Sequence, residues 1–159
     1  MNLMEAFDEL IADIVKDSCS DTAFIEVFPL CNVAAGLQSL FLARTFAALR
    51  HPFYPKTDVR IGMIGCGSIG ALVLRTLLDF SGISAYRFFV STRRPELLTE
   101  FQKEGVNVFF NNQKIIDSCD IIFVTALPHQ LLSLSSTLKA PQQPYDPHKP
   151  IGIISSLHY

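Results

Sequence analysis

Short apolar runs of the kind that form β-strands alternate with helical patterns from residue 59 to the end of the chain. The predicted strands cover residues 59–64, 87–91, 106–110, 120–125 and 151–155, and the predicted helices between them cover 68–80, 95–104, 112–118 and 128–138. A period that keeps switching between strand and helix implies right-handed βαβ units. We therefore predict an α/β fold with a parallel sheet and helices on both faces.

Two further helical patterns precede this region. Residues 3–15 have apolar side chains at helical spacing between acidic ones, and residues 30–49 form a second apolar-rich helix with Arg44 and Arg50 near its end. Pro52 and Pro55 then block any continuation of that helix. We predict an N-terminal helical extension over residues 1–57 and a sheet domain over 58–159, in which the proline-rich residues 140–150 form an extended loop.

A glycine motif lies between the first predicted strand and the helix that follows it. Gly65, Gly67 and Gly70 have Gly-x-Gly-x-x-Gly spacing, and this position is the one that a dinucleotide-binding Rossmann fold requires. Gly65 suits the tight turn, Gly67 leaves room for a pyrophosphate, and Gly70 allows the helix to pack closely on the strand. Free N–H groups at the start of the helix would then hold the phosphates.

The end of the second strand indicates which dinucleotide binds. NAD-selective domains have an acidic residue there for the ribose 2′-hydroxyl, but this strand ends in Ser91, Thr92, Arg93 and Arg94 with no acid nearby. Because an arginine can engage a phosphate through two N–H groups, this turn predicts NADP, with Arg93 as the first candidate. The alternative is a solvated basic loop before a helix.

These segments resemble the N-terminal domain of pyrroline-5-carboxylate reductases, in order and spacing, from residue 59 to 155. The matching stretches are Gly62-Met63-Ile64-Gly65-Cys66-Gly67, Ser91-Thr92-Arg93-Arg94-Pro95 and Ala126-Leu127-Pro128. The chain is also similar to the NADP-dependent oxidoreductase domain-containing proteins, which are related to these reductases and carry a comparable helical extension.

The resemblance implies roles for individual residues. The glycine loop, with Cys66, Ser68 and Ile69, would contact the pyrophosphate. Ser91, Arg93 and Arg94 would contact the adenosine 2′-phosphate, and Ala126, Leu127 and Pro128 would line the nicotinamide side. No catalytic residue can be named from the sequence.

Two departures from the reductase pattern bear on activity. Leu127 stands where the family usually has lysine, and residues 155–159 stand where the family would continue into a small-residue turn. In addition, nothing in the chain corresponds to the family's helical domain, which forms the homodimer and completes the substrate pocket. We therefore expect a truncated or shortened form that is inactive alone, because hydride transfer needs a substrate held against the cofactor.

The predicted function is that of the NADP-binding domain of an oxidoreductase, whose longer parent protein reduces an imine or carbonyl group of a small metabolite. The alternative is a module that binds or senses NADPH without turnover. Two residues have competing interpretations. Cys66 is either a reactive thiol at a helix N-terminus or a small residue tolerated there, and His129 either contacts a ligand or lines a helix start.

Composition excludes several other classes. The net charge of −2 provides no basic field for nucleic acid or an anionic membrane. Cys19, Cys31, Cys66 and Cys119 form no Cys-x-x-Cys pair and have no histidine at zinc spacing, so we expect no metal and no disulfide. The acidic N-terminus contradicts a secretory or mitochondrial leader, and a cytoplasmic protein is expected.

Overall fold

A computed structural model of the chain describes residues 21–55, 58–126, 128–140 and 152–155. The helix predicted over residues 3–15 and nearly all of the loop predicted over 140–150 lie outside these ranges. The chain divides into two compact units, Met1–Ala34 and Ala35–Tyr159, and the sheet belongs to the second unit. The domain boundary expected after residue 57 stays a prediction.

All of the predicted strands are present. They are β1 (Ile61–Ile64), β2 (Phe88–Ser91), β3 (Asn107–Phe109), β4 (Ile121–Val124) and β5 (Gly152–Ser155). The helices are α1 (Asp21–Arg50), α2 (Ser68–Phe80), α3 (Thr99–Lys103), α4 (Asn112–Ser118) and α5 (Pro128–Thr137), with short 3₁₀ turns at Ala85–Arg87 and Pro95–Leu98.

Two helices differ from their predicted form. α1 begins at Asp21 rather than at residue 30 and contains Pro29, although a proline usually marks a helix boundary. The helix predicted over 95–104 is a 3₁₀ turn followed by the short α3. The fixed φ of Pro95 suits the first position of a 3₁₀ turn as well as that of an α-helix, so this proline does not distinguish the two kinds of helix.

The five strands form one parallel sheet in the order β3-β2-β1-β4-β5. β1 is central, with Ile61 opposite Phe88 on one side and Ile121 on the other. This order is that of a Rossmann fold. The strands before β4 are added on one side of β1 and the later ones on the other side, so the topological switch point lies between β1 and β4. The predicted fold class is confirmed, and the carboxyl ends of β1, β2 and β4 lie side by side.

Helices cover both faces of the sheet. One core cluster joins alternate strand residues to Val73, Leu74 and Leu77 of α2 and to Ala43 of α1. The other joins the intervening strand residues to Ile115 and Ile116 of α4. The two-residue alternation explains why both faces are apolar, and this burial on both sides is typical of parallel sheets.

A buried ion pair joins α1 to the amino ends of β1 and β4. The Arg50 guanidinium lies 2.8 Å from the carboxylate of Asp120, and these side chains are 6% and 1% exposed. Asp120 also accepts a hydrogen bond of 2.8 Å from the Arg60 N–H. Arg50 is therefore a buried partner of the sheet as well as a cation at a helix end.

Within the described ranges, every helix falls short, in length or in apolar character, of what a membrane crossing requires.

Candidate nucleotide-binding site

Gly65 makes the turn that leaves β1. Its φ of +82° is in the left-handed region that favours glycine. Its N–H donates a 2.9 Å hydrogen bond to the Ser91 carbonyl at the end of β2, and a Cβ atom here would lie 3.1 Å from the backbone nitrogen of Ala126, just beyond β4. Gly65 thus brings the carboxyl ends of three strands together.

Gly67 and Gly70 have different surroundings at the start of α2. A Cβ atom on Gly67 would meet nothing within 4 Å, whereas one on Gly70 would lie 2.6 Å from Thr125 Oγ1 and 3.1 Å from the Gly65 carbonyl. Gly70 therefore permits close packing of helix on strand, and Gly67 borders open space. This division matches the one that the glycine spacing predicts.

The first turn of α2 offers backbone donors to that open space. Its first intrahelical hydrogen bond runs from the Ala71 N–H to the Gly67 carbonyl, at 2.8 Å. The N–H groups of Ser68, Ile69 and Gly70 precede that bond and have no acceptor within the helix. No side chain caps this end and no acid lies in the first turn, so the helix dipole and the donors both favour an anion here.

Thr125 supports the turn from the neighbouring strand. Its hydroxyl donates to the Gly65 carbonyl, and its N–H donates to the Ile64 carbonyl at 2.9 Å. Sequence analysis missed this residue. The available signal was a hydroxyl side chain directly after β4, at the edge where ligands bind in such sheets.

The predicted 2′-phosphate residues divide into buried and exposed ones. Ser91 is 2% exposed, and its hydroxyl donates to Asn112 Oδ1 at 2.6 Å. Thr92 is half-buried, and its Oγ1 accepts from the Arg94 N–H at 3.3 Å. Arg93 and Arg94 are exposed, and neither forms an ion pair with another described residue.

Asn112, which sequence analysis also missed, is the first residue of α4 and accepts the Ser91 hydroxyl at the end of β2. Its neighbour Asn111 caps α4 by accepting the Lys114 N–H at 3.2 Å. Lys114 adds a third cation at this edge, with its Nζ 3.8 Å from the centre of the Phe109 ring. The pair of asparagines directly after a predicted strand was the signal that pointed to this helix start.

Cys66 lies in the glycine loop and is partly buried. Burial raises the pKa of its thiol to about 11, because a charged thiolate is poorly solvated there. A raised pKa favours the protonated thiol at neutral pH, which favours the interpretation of Cys66 as a small residue tolerated in the loop.

The predicted nicotinamide side is described in part. Ala126 is buried and Pro128 is the first residue of α5, while Leu127 lies outside the described residues. His129 is exposed on the first turn of α5. Among the residues that the structure describes, no group of histidine, cysteine and acidic side chains is arranged to hold a metal ion.

This arrangement fits a dinucleotide. The space at Gly67 admits a pyrophosphate next to the N–H groups of α2, and the exposed arginines stand at the end of the adjacent strand. Both features present positive potential to phosphate groups at the carboxyl edge of the sheet, where a Rossmann fold binds its ligand.

Part of this chain is similar in sequence to a known protein. NADP-dependent oxidoreductase domain-containing protein 1 from Mus musculus is 38% identical over 71 residues, which are 45% of this chain and 19% of that protein. This relative confirms the resemblance to that group of proteins. The match therefore spans about a fifth of the relative's length.

Two solved structures are similar in fold. The pyrroline-5-carboxylate reductase from Coxiella burnetii is 24% identical, with 49% of this chain and 29% of that one covered and a TM-score of 0.45. A reductive aminase from Aspergillus terreus, in complex with NADPH and ethyl-5-oxohexanoate, is 14% identical, with 62% and 32% covered and a TM-score of 0.46.

A protein-family model described as NADP oxidoreductase, coenzyme F420-dependent, matches residues 60–146. The matched residues include the glycine loop, the arginine turn and the strands that position them. Because they make up more than half of the chain, this chain belongs to the family of coenzyme F420-dependent NADP oxidoreductases, which bind a nicotinamide dinucleotide.

Proposed function

We propose that the chain is the NADP-binding part of an oxidoreductase whose full-length form reduces an imine or carbonyl group of a small metabolite. The observation that carries the choice of NADP is the end of β2. Two exposed arginines, Arg93 and Arg94, stand there without a described acidic partner, directly after Thr92 and the strand that the glycine turn contacts. A 2′-phosphate would provide the missing negative charge.

The residues at this edge have distinct proposed roles. The N–H groups of the loop from Gly65 to Gly70 hold the pyrophosphate, and Arg93 and Arg94 bind the 2′-phosphate. Ser91 acts indirectly, because its single hydroxyl proton is donated to Asn112 Oδ1 and a phosphate oxygen can only accept. Because Asn112 accepts this bond through Oδ1, its amide nitrogen stays available to donate to a phosphate oxygen.

NADPH, when bound, would supply the hydride. The chain's contribution is to bind the dinucleotide and to place its nicotinamide near Thr125, Ala126 and the start of α5. None of these described groups is identified as a proton donor to the substrate. We propose that a further domain supplies that donor and encloses the substrate, because hydride transfer requires both reactants to be held in one orientation.

A module that binds NADPH without turnover is the second candidate. It is favoured by Leu127, which stands where the resembling reductases usually have lysine. The two candidates differ in one assay. An oxidoreductase predicts NADPH oxidation when the longer parent protein meets a cyclic imine or a carbonyl substrate, whereas a module predicts tight NADPH binding and no oxidation with any such substrate.

The cofactor assignment is tested by calorimetric titration of the chain with NADP and with NAD at fixed salt. We expect Arg93→Ala to weaken NADP binding by roughly tenfold or more, since hydrogen bonds to charged groups contribute about 1.5–3 kcal/mol. Binding of NAD, which lacks the 2′-phosphate, should change little.

Arg87→Ala is the matched control. It removes the same charge, but Arg87 lies at the opposite end of β2 and pairs with Asp58 at 3.2 Å. This variant should bind NADP as the wild type does. Equal loss in both arginine variants would indicate a general electrostatic effect, and equal affinity of the wild type for NAD and NADP would contradict the choice of NADP.

A further inference from the structure

Phe110 is a large apolar side chain exposed at the edge that carries the candidate site. It directly follows β3 and is 73% exposed. The Thr92 N–H donates a 3.0 Å hydrogen bond to the Phe109 carbonyl, which joins the end of β3 to the arginine turn. Phe110 therefore begins its loop beside the residues proposed to bind the 2′-phosphate.

The neighbouring aromatic residue already has a structural partner. The Phe109 ring stacks on Phe89 with the ring centres 6.3 Å apart and packs against the core on the α4 face. Lys114 Nζ lies 3.8 Å from the centre of the same ring. Phe110 stacks on no other described aromatic ring and belongs to neither core cluster.

Exposure alone does not identify a binding residue, because single apolar side chains are common on protein surfaces. Phe80 and Tyr86, for example, are 64% and 56% exposed, but Phe80 is the last residue of α2 and Tyr86 lies in the turn before β2, toward the amino edge of the sheet. Phe110 differs from them in its position in the sheet. It stands at the carboxyl edge, next to Phe109, whose carbonyl accepts from Thr92 of the arginine turn and whose ring lies under Lys114.

We propose that Phe110 stacks on the adenine ring of the bound dinucleotide. This inference rests on the proposed function. Adenine is attached to the same ribose that carries the 2′-phosphate, so arginines that hold the phosphate bring the base to the neighbouring loop. A flat, apolar ring at that point covers one face of the base and excludes water from it, while the cations bind the phosphate.

Stacking and phosphate binding predict different responses, which a titration with adenosine 2′,5′-bisphosphate and with NADP can separate. Phe110→Ala should weaken the binding of both ligands by the same factor, roughly fivefold or more. Phe110→Tyr keeps a ring and should bind as the wild type does. The dependence of affinity on salt should be unchanged in Phe110→Ala, whereas Arg93→Ala should reduce it, because only the arginine neutralises a phosphate.

Phe80→Ala is the matched control, since it removes an equally exposed ring from the other end of the sheet. Unchanged thermal unfolding of Phe110→Ala would show that its weaker binding does not arise from loss of the fold. Wild-type affinity in Phe110→Ala overturns the stacking inference alone, and so does a changed salt dependence in that variant. A wild-type chain that binds neither ligand overturns the proposed function together with this inference.

Discussion

Gly67 and Gly70 are one helical turn apart, yet a methyl group would have opposite consequences at the two positions. Gly67 has an ordinary φ of −82° and open space around its missing Cβ. Gly70 faces Thr125 Oγ1 at 2.6 Å, and the bond from Thr125 to the Gly65 carbonyl holds that hydroxyl in place. Gly67 therefore leaves space that a ligand could occupy, whereas the space at Gly70 is filled by the Thr125 side chain.

We expect Gly67→Ala to leave the free energy of unfolding nearly unchanged while it weakens NADP binding, because its methyl group enters the space for the pyrophosphate. Gly70→Ala should instead destabilise the fold by about 1–3 kcal/mol through overpacking, less whatever helix propensity it gains. Urea unfolding and NADP titration of both variants measure the two effects. Equal changes in stability at both positions would contradict the assignment.

At the scale of elements, the second unit's part of α1 packs on α2 through small residues. A Cβ atom on Gly36 would lie 2.8 Å from Thr76 Oγ1, and Ser39 and Ala43 are buried on the same side of the helix. Leu37 and Phe41 lie on the exposed side. The close approach of the two helices therefore depends on the small size of the side chains on this side of α1.

Gly36→Val should force α1 away from α2 and destabilise the fold by roughly 1–3 kcal/mol. Gln38→Val introduces the same side chain at an exposed position of the helix and serves as the control, with an expected change within about 0.5 kcal/mol. The measurement is urea unfolding. Thr76→Ala should recover part of the loss in a double variant, and no recovery would mean that Thr76 is not the obstacle.

At the scale of the whole molecule, the two edges of the sheet have separate tasks. The candidate site occupies the carboxyl edge, and the ion pair of Arg50 with Asp120 occupies the amino edge. Asp120 also accepts the N–H of Arg60, so one buried carboxylate connects α1, β1 and β4. Removing this carboxylate leaves the buried Arg50 guanidinium without its ion-pair partner.

Asp120→Ala should therefore lower the free energy of unfolding by about 3–5 kcal/mol. The NADP affinity of the molecules that remain folded should stay at the wild-type value, because the site is at the other edge. Asp79→Ala is the control, since Asp79 pairs with Arg75 at 3.7 Å in solvent and should cost less than about 1 kcal/mol. Urea unfolding and titration of the folded fraction separate the two effects, and a similar loss from both variants would contradict a buried role for Asp120.

Local patterns in the sequence were sufficient for the strands, most helices and the glycine turn. Strand and helix differ in the period of their apolar residues, and only glycine adopts the φ of Gly65 without strain. The same patterns failed at Pro29, which lies within α1, and at residues 95–104, where a 3₁₀ turn and an α-helix bury similar positions.

The sequence by itself therefore determined where most of the elements lie, which fold they form and which loop makes the glycine turn, because each of these depends on neighbouring residues. Only the tertiary structure decided which side chains meet. Ser91 donates to Asn112, and Arg50 pairs with Asp120; each pair comes from separate elements that the sheet brings together. Whether a polar residue faces solvent, a ligand or a buried partner depends on that assembly. The partner is distant along the chain, so a local sequence pattern does not identify it.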